Sequence, residues 1–282
     1  MSKDLERSLK DRVKEIAKAE RRAFNDVWKA LILERFLVRL ARSANLEKMI
    51  FKGGFLLSKY LDIGRETTDL DFSLTNIVGS IDSVRDLIRS IMDVPCDDGF
   101  SFQDLEIEEM THPHMNYAGY EVTALALLGG TRTSIRIDLG VGDRVTPERK
   151  SLLLLTLNNK PLFESEISIQ VYPLSYIFAE KLEAVVYRGG TNSRMKDFYD
   201  LLVLRKMSEF NVSAASVVIR SVFSDRGTAI PNRLSFDNQA IATMSRGWKR
   251  FVDVIDEKFK NEVPLDFSEV LLKINEILGA LN

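Results

Sequence analysis

Three aspartates in this chain of 282 residues are spaced so that they could share a cation. The segment TDLDFSL (68–74) alternates polar and apolar residues strictly and reads as a strand. Successive side chains of a strand point to opposite faces, so Asp69, Asp71 and Ser73 point one way and Leu70, Phe72 and Leu74 the other. Two carboxylates side by side are hard oxygen ligands for an ion such as Mg²⁺. TSIRIDLG (133–140) repeats the arrangement, with Ile135, Ile137 and Leu139 inward and Arg136 and Asp138 together on the other face. If the two strands are neighbours, Asp138 adds a third carboxylate and Arg136 a cation beside it. Three carboxylates on adjacent strands suit two-metal phosphoryl transfer, in which the ions bridge phosphate oxygens and one activates the attacking hydroxyl.

Two further segments could serve the same chemistry. MIFKGGFLLSKYL (49–61) reads as strand, Gly53-Gly54 turn and helix, which offers backbone N–H groups and a helix N-terminus to a polyphosphate. Glycines there let a phosphate approach the main chain closely. In LSYIFAEKLEAVVYR (174–188), helical spacing gives an apolar stripe of Leu174, Ile177, Phe178, Leu182 and Val185. Lys181 falls inside that stripe, whereas Glu180 and Glu183 fall on the polar side. A lysine in an apolar face is costly unless it is paired or reaches water, so it either snorkels at a seam between domains or aims its charge at a phosphate or the catalytic carboxylates. On the second reading, Lys181→Met should lower activity while stability holds or rises. In RMKDFYDLL (194–202), Asp197 and Asp200 share a helix face, either as part of the site or as a solvated face paired with Lys196 and Arg194.

The elements that must position these residues form an α+β pattern. Residues 4–44 read as helix broken once, 49–51 as strand, 55–63 as helix and 80–93 as helix ended by Pro95. LEIEEM (105–110), YEVTALALL (120–128), TSIRIDLG (133–140) and ISIQVY (167–172) read as strands, and the pattern is helical for most of the chain from Leu174 onward. The expected division is a mixed-sheet domain with N-terminal helices over 1–173 and a helical C-terminal domain over 174–282.

Composition excludes some classes. One cysteine, Cys96, permits no internal disulfide, the N-terminus lacks the apolar run of a signal peptide, and no stretch is apolar enough for a membrane span. A cytoplasmic protein is the expectation. Residues 1–50 carry thirteen Lys/Arg against eight Asp/Glu, so this end could attract a polyanion. Between Arg89 and Arg132 stand eight acids and no Lys or Arg: Asp93, Asp97, Asp98, Asp104, Glu106, Glu108, Glu109 and Glu121. Both regions can equally be read as ordinary solvated faces. His112 and His114 lack further ligands at zinc spacing and read as a loop. Cys96, Trp28 and Trp248 read as structural.

FKGG followed after thirteen residues by TDLDFSL resembles the motif of the DNA polymerase beta-like nucleotidyltransferase superfamily. Within it the chain is similar to the AbiEii/AbiGii-type toxins, which the later matches RIDLGVGD, AEKLEAVVYRGG and RMKDFYDL support. The resemblance runs from about Phe51 to about Leu202. Gly54 stands where many superfamily members have serine, so a phosphate contact from that hydroxyl must come from elsewhere.

The resemblance implies a polymerase beta-like fold and transfer of a nucleoside monophosphate from an NTP, with two Mg²⁺ ions held by Asp69, Asp71 and Asp138. It implies catalytic roles for Lys181 and Asp197, and nucleotide contacts from Lys52, Gly53, Gly54, Arg136, Lys181 and Asp200, in a cleft between the domains. Arg188, Gly189 and Gly190 could present a cation near the phosphates. It also implies a cognate antitoxin as partner and an RNA acceptor such as the 3′ end of tRNA. The rivals are nucleotidylation of a protein or small molecule, and a non-catalytic nucleotide-binding module, which the intact carboxylates argue against.

Overall fold

A computed structural model describes residues 2–75, 80–110, 119–142, 145–207 and 210–281. The chain folds into two compact units, one of Met1–Leu61 with Glu66–Tyr172, the other of Asp62–Arg65 with Pro173–Asn282.

The first unit opens with helices α1 (Ser2–Glu20) and α2 (Phe24–Arg42). The break between them falls at Arg21, whose positive φ ends α1, and Ala23, whose extended backbone starts α2. On α1, Leu9, Val13, Ile16 and Ala17 are buried at helical spacing. Helix α2 is buried almost all round, charged residues included. Arg35 and Arg39 converge on Asp98 at 2.8–3.0 Å, and Glu34 pairs with Lys59. Asp98 is therefore no part of a solvated acidic face. It is a buried acceptor that holds the loop before the next strands against α2. Burial of these charges is tolerable because each is paired and hydrogen-bonded.

Strand β1 (Met49–Lys52) runs directly into α3 (Gly53–Tyr60), then come β2 (Asp69–Leu74) and α4 (Ile81–Met92). Ser80 caps α4 by accepting from the Ser83 N–H at 3.2 Å. Strands β3 (Ser101–Met110), β4 (Gly119–Leu128), β5 (Thr131–Val141), β6 (Glu148–Leu153) and β9 (Glu166–Val171) complete the sheet, while β7 (Thr156–Leu157) and β8 (Lys160–Pro161) pair separately. The sheet has seven strands in the order β3-β4-β5-β2-β1-β9-β6, and it is mixed: β5 with β2 and β1 with β9 are parallel, the other pairs antiparallel. Phe51 and Phe72 pack at 5.3 Å between ring centres and Phe36 of α2 lies 6.4 Å from Phe72, so the even-numbered face of β2 is core. That leaves Asp69 and Asp71 on the opposite face.

Strand β6 is not foreshadowed by the sequence. It is an edge strand exposed at five of its six positions, so ERKSLL carries no apolar alternation.

The second unit consists of α5 (Leu174–Arg188), α6 (Met195–Lys206), α7 (Val212–Asp225), α8 (Asn238–Val254), α9 (Glu257–Lys260) and α10 (Phe267–Gly279), with the short segment Asp62–Arg65. Asn211, Asp237, Asp256 and Asp266 cap α7 to α10 through their side chains. Trp248, stacked on Phe251 and near Phe267, is fully buried, and its indole N–H donates to the Pro264 carbonyl at 2.8 Å. No helix among the described residues is long and apolar enough to cross a membrane.

Candidate active site

The carboxylate strands are neighbours. β2 and β5 pair in parallel with Asp71 opposite Asp138 and Asp69 opposite Arg136, so the three aspartates share one face. Arg136 lies across them: Nη2 donates to Asp69 Oδ2 at 2.7 Å, and Nε stands 3.5 Å from Asp138 Oδ1. Glu121 on β4 is opposite Asp138 and 3.7 Å from Arg136 Nη1, which puts a fourth carboxylate on this face. Nothing in the spacing of YEVTALALL singled out Glu121, because its place depends on the β4–β5 register. Lys29 on α2 donates to the Ser134 carbonyl; burial lowers its pKa, and Asp69 offsets part of that.

Gly53 is required where it stands. Its φ is +77°, and a Cβ there would lie 1.9 Å from Asp71 Oδ2. The turn thus presses main chain against the central carboxylate. Gly54 follows in the first turn of α3. Lys52, opposite Asp71 on β1, holds its ammonium 5.0 Å from the centre of the Tyr172 ring.

In the second unit Lys181 is paired, not merely desolvated. Its Nζ stands 3.0 Å from Asp197 Oδ1 and 2.7 Å from Asp200 Oδ2. Arg194 Nε donates to the other oxygen of Asp197 at 2.7 Å, and Arg65 donates to both oxygens of Asp200, from Nε at 2.9 Å and Nη2 at 2.6 Å. The side chains of Asp197 and Asp200 are 2% and 0% exposed, so these partners take the place of water. Asp197 and Asp200 are therefore no solvated face. Removing the lysine charge is therefore expected to cost stability, because two buried carboxylates would lose a shared partner. Glu183, placed by helical spacing on the polar side, is buried as well, accepting from Arg226 at 2.9 Å and Thr228 at 2.5 Å where α7 packs on α5. Arg188 is exposed at the end of α5, where Gly189 stops the helix with positive φ. His112 and His114, and Asp143 of RIDLGVGD, lie outside the described residues. Cys96 is half-buried, 3.4 Å from an Arg42 nitrogen.

The ion pairs shift the acid behaviour of Asp197. Burial alone would raise its pKa, but Lys181 and Arg194 outweigh burial and pull it from 3.8 to about 2. A carboxylate depressed in the folded state contributes stability that is present above the unfolded pKa and lost as pH falls through the folded one. Asp197 should therefore contribute about 2 kcal/mol at pH 6, disappearing between about pH 4 and pH 2. Urea unfolding at stepped pH checks this: the wild type should lose that increment over this interval, and Asp197→Asn should not.

The donor set suits a hard divalent cation. It is all carboxylate, on adjacent strand positions, and a guanidinium already lies among the same oxygens, which marks the spot as attractive to positive charge. Among the described residues no three acidic, His or Cys side chains converge into a finished metal cage.

A mixed sheet carrying these carboxylates beside a Gly-Gly turn is the arrangement of a nucleotidyltransferase, and comparison with known proteins agrees. The profile of the family described as "Nucleotidyl transferase AbiEii toxin, Type IV TA system" matches residues 35–271. The chain belongs to that family and is a toxin nucleotidyltransferase. Membership implies an NTP substrate, an antitoxin partner and a divalent metal, which such enzymes generally use. Two solved structures share the fold. MenT4, a nucleotidyltransferase toxin from Mycobacterium tuberculosis, is 16% identical with a TM-score of 0.54, covering 96% of this chain and 99% of its own. JHP933 from Helicobacter pylori is 15% identical with a TM-score of 0.52, covering 92% of each chain. No curated protein is significantly similar in sequence.

Proposed function

We propose that this toxin transfers a nucleoside monophosphate from an NTP to an RNA acceptor, with the 3′ end of tRNA as the leading case, in a Mg²⁺-dependent reaction. The observation that carries the reading is the β2–β5 register, which sets Asp69, Asp71 and Asp138 side by side with Gly53 pressed against Asp71. Asp69 and Asp71 would hold two Mg²⁺ ions, and Asp138 would complete one of the sites. A divalent metal held by these carboxylates would supply positive charge to offset the negative charge that develops on transfer. Asp138 accepts the proton of the attacking hydroxyl at a carboxylate oxygen. The N–H groups of Gly53 and Gly54 face the polyphosphate, with Lys52 beside them. Arg136 and Lys181 supply positive charge to the phosphates as pyrophosphate leaves. Asp197 and Asp200 hold Lys181, and a nucleotide contact by Asp200 would require displacing a cation that already binds it.

The acceptor would be held by charge at the basic N-terminal end. Of the cations on α1 and in the connection that follows it, Lys10 pairs with Glu6, Lys14 with Asp11, and Arg22 with Glu20 and Glu66. The Lys14 pair is exposed and gives way to phosphate at little cost, whereas Arg22 grips Glu66 through two nitrogens and is the least available of the three. The test is incubation with each labelled NTP, Mg²⁺, total RNA and whole-cell protein. Label on RNA, with binding that weakens steeply as salt rises, supports the reading; label on protein alone rejects the RNA acceptor.

A further inference from the structure

Arg65 stands between α3 and β2, yet packs within the helical unit. The segment 62–65 is held there at several points. The Asp256 N–H donates to the Gly64 carbonyl at 2.8 Å, and Lys258 pairs with Asp62 at 2.5 Å. Gly64, with φ +59°, lies so close to Phe259 that a Cβ would meet the ring at 2.2 Å. This local lattice delivers the Arg65 guanidinium, 8% exposed, to a carboxylate that is wholly buried.

We propose that Arg65 is a positioning residue for the Lys181 ammonium, acting through Asp200, which it grips with both nitrogens of its fork. The inference rests on the reading of Lys181 as a cation that serves the phosphates. A carboxylate bound by one donor can swing about its Cβ–Cγ bond. One bound in bidentate fashion by a planar guanidinium has its plane set, and its second lone pairs point in set directions. Asp200 Oδ2 accepts from Arg65 at 2.6 Å and lies 2.7 Å from Lys181 Nζ, so fixing the plane of Asp200 fixes where the ammonium rests. Asp197 supplies the second point at 3.0 Å, itself steadied by Arg194. The lysine is thus located from two sides, and Arg65 contributes the more buried one. Arg65 has a second effect: its positive charge, close to Lys181, offsets part of the pull that Asp200 and Asp197 exert on the ammonium. Without it the lysine would be bound more tightly by its own carboxylates and be less available to a substrate phosphate.

The two effects separate under substitution. Arg65→Lys keeps the charge and loses the fork; Arg65→Met loses both. In the full-length protein, trace acylation of Lys181 with acetic anhydride across pH, read by peptide mass spectrometry, reports the midpoint at which the amine becomes free. Arg65→Met should raise that midpoint, because the neighbouring positive charge is gone. Arg65→Lys, which keeps the charge, should leave it in place. Both should lower the kcat of labelled-NTP transfer at least tenfold with the KM for NTP within twofold, because binding is retained while alignment is lost. Transfer restored by Arg65→Lys would overturn the inference, since charge alone would then suffice. An unchanged midpoint in Arg65→Met would also overturn it. Should Arg65→Met fail to fold, Arg65→Lys decides through kcat, with thermal melting establishing that the variant is folded. Lys181→Met, assayed alongside, tests the parent reading by itself: full transfer there sinks the role of Lys181 and the inference with it, whereas transfer lost there but intact in both Arg65 variants sinks the inference alone.

Discussion

Asp71→Ala is expected to abolish nucleotide transfer while leaving the fold in place. Asp71 is the central carboxylate of the face, opposite Asp138 on β5 and opposite Lys52 on β1, with Gly53 packed against its Oδ2. Removing it deletes oxygen ligands that no neighbour can supply in the same position, since Asp69 is one residue pair away along the strand. The core is untouched, because Leu70, Phe72 and Leu74 lie on the other face of β2 and are buried there. Asp69→Ala should behave alike in transfer. It also removes the 2.7 Å pairing with Arg136, but Arg136 is 48% exposed, so the stability lost should be no more than about 1 kcal/mol. The measurement is incorporation of labelled NTP with Mg²⁺, alongside thermal melting of each variant. Transfer retained by either folded variant would remove the carboxylate pair from the mechanism.

Lys181→Met should cost both activity and stability. Losing a positive contact to developing phosphate charge is worth on the order of 2–4 kcal/mol, so transfer should fall at least tenfold. The stability effect follows from what surrounds the ammonium. Removing one partner of a buried ion pair costs about 3–5 kcal/mol when the other charge is left alone. Here Arg65 stays on Asp200 and Arg194 on Asp197, so a loss near 2–3 kcal/mol is expected. Urea unfolding at neutral pH measures it. Stability equal to or above the wild type would mean that the two aspartates are adequately held by the arginines alone.

Both expectations depend on features that differ in how far the sequence reveals them. Strict alternation in TDLDFSL and TSIRIDLG assigns faces, because side-chain direction in a strand is a local property. The helices 81–92 and 174–188 were legible for the same reason, their apolar residues recurring at helical intervals. Edge strand β6 was not, because exposure on both faces erases the pattern. Glu183 was misplaced because helical periodicity weighs residue type, whereas α7 buries this glutamate by supplying Arg226 and Thr228. The burial of Asp98 is hidden from the sequence because charge counting along the chain is blind to partners some sixty residues away, Arg35 and Arg39.

What the amino-acid order determined by itself is the kind of chemistry and the residues that could serve it: a D-x-D strand, a second strand bearing Asp138, a Gly-Gly turn, and a lysine set within an apolar helix face. These are short-range facts, carried by residue types at fixed intervals. Tertiary structure decided which strands are neighbours and in what register, and so whether three aspartates meet at all; it also decided who neutralises whom. Arg65 illustrates the difference. It sits in a connecting segment with no periodicity, and its grip on Asp200 spans 135 positions of sequence. Hydrogen bonds and ion pairs act over a few ångströms of space irrespective of chain separation, so a pairing of this kind can be read only once the chain has folded.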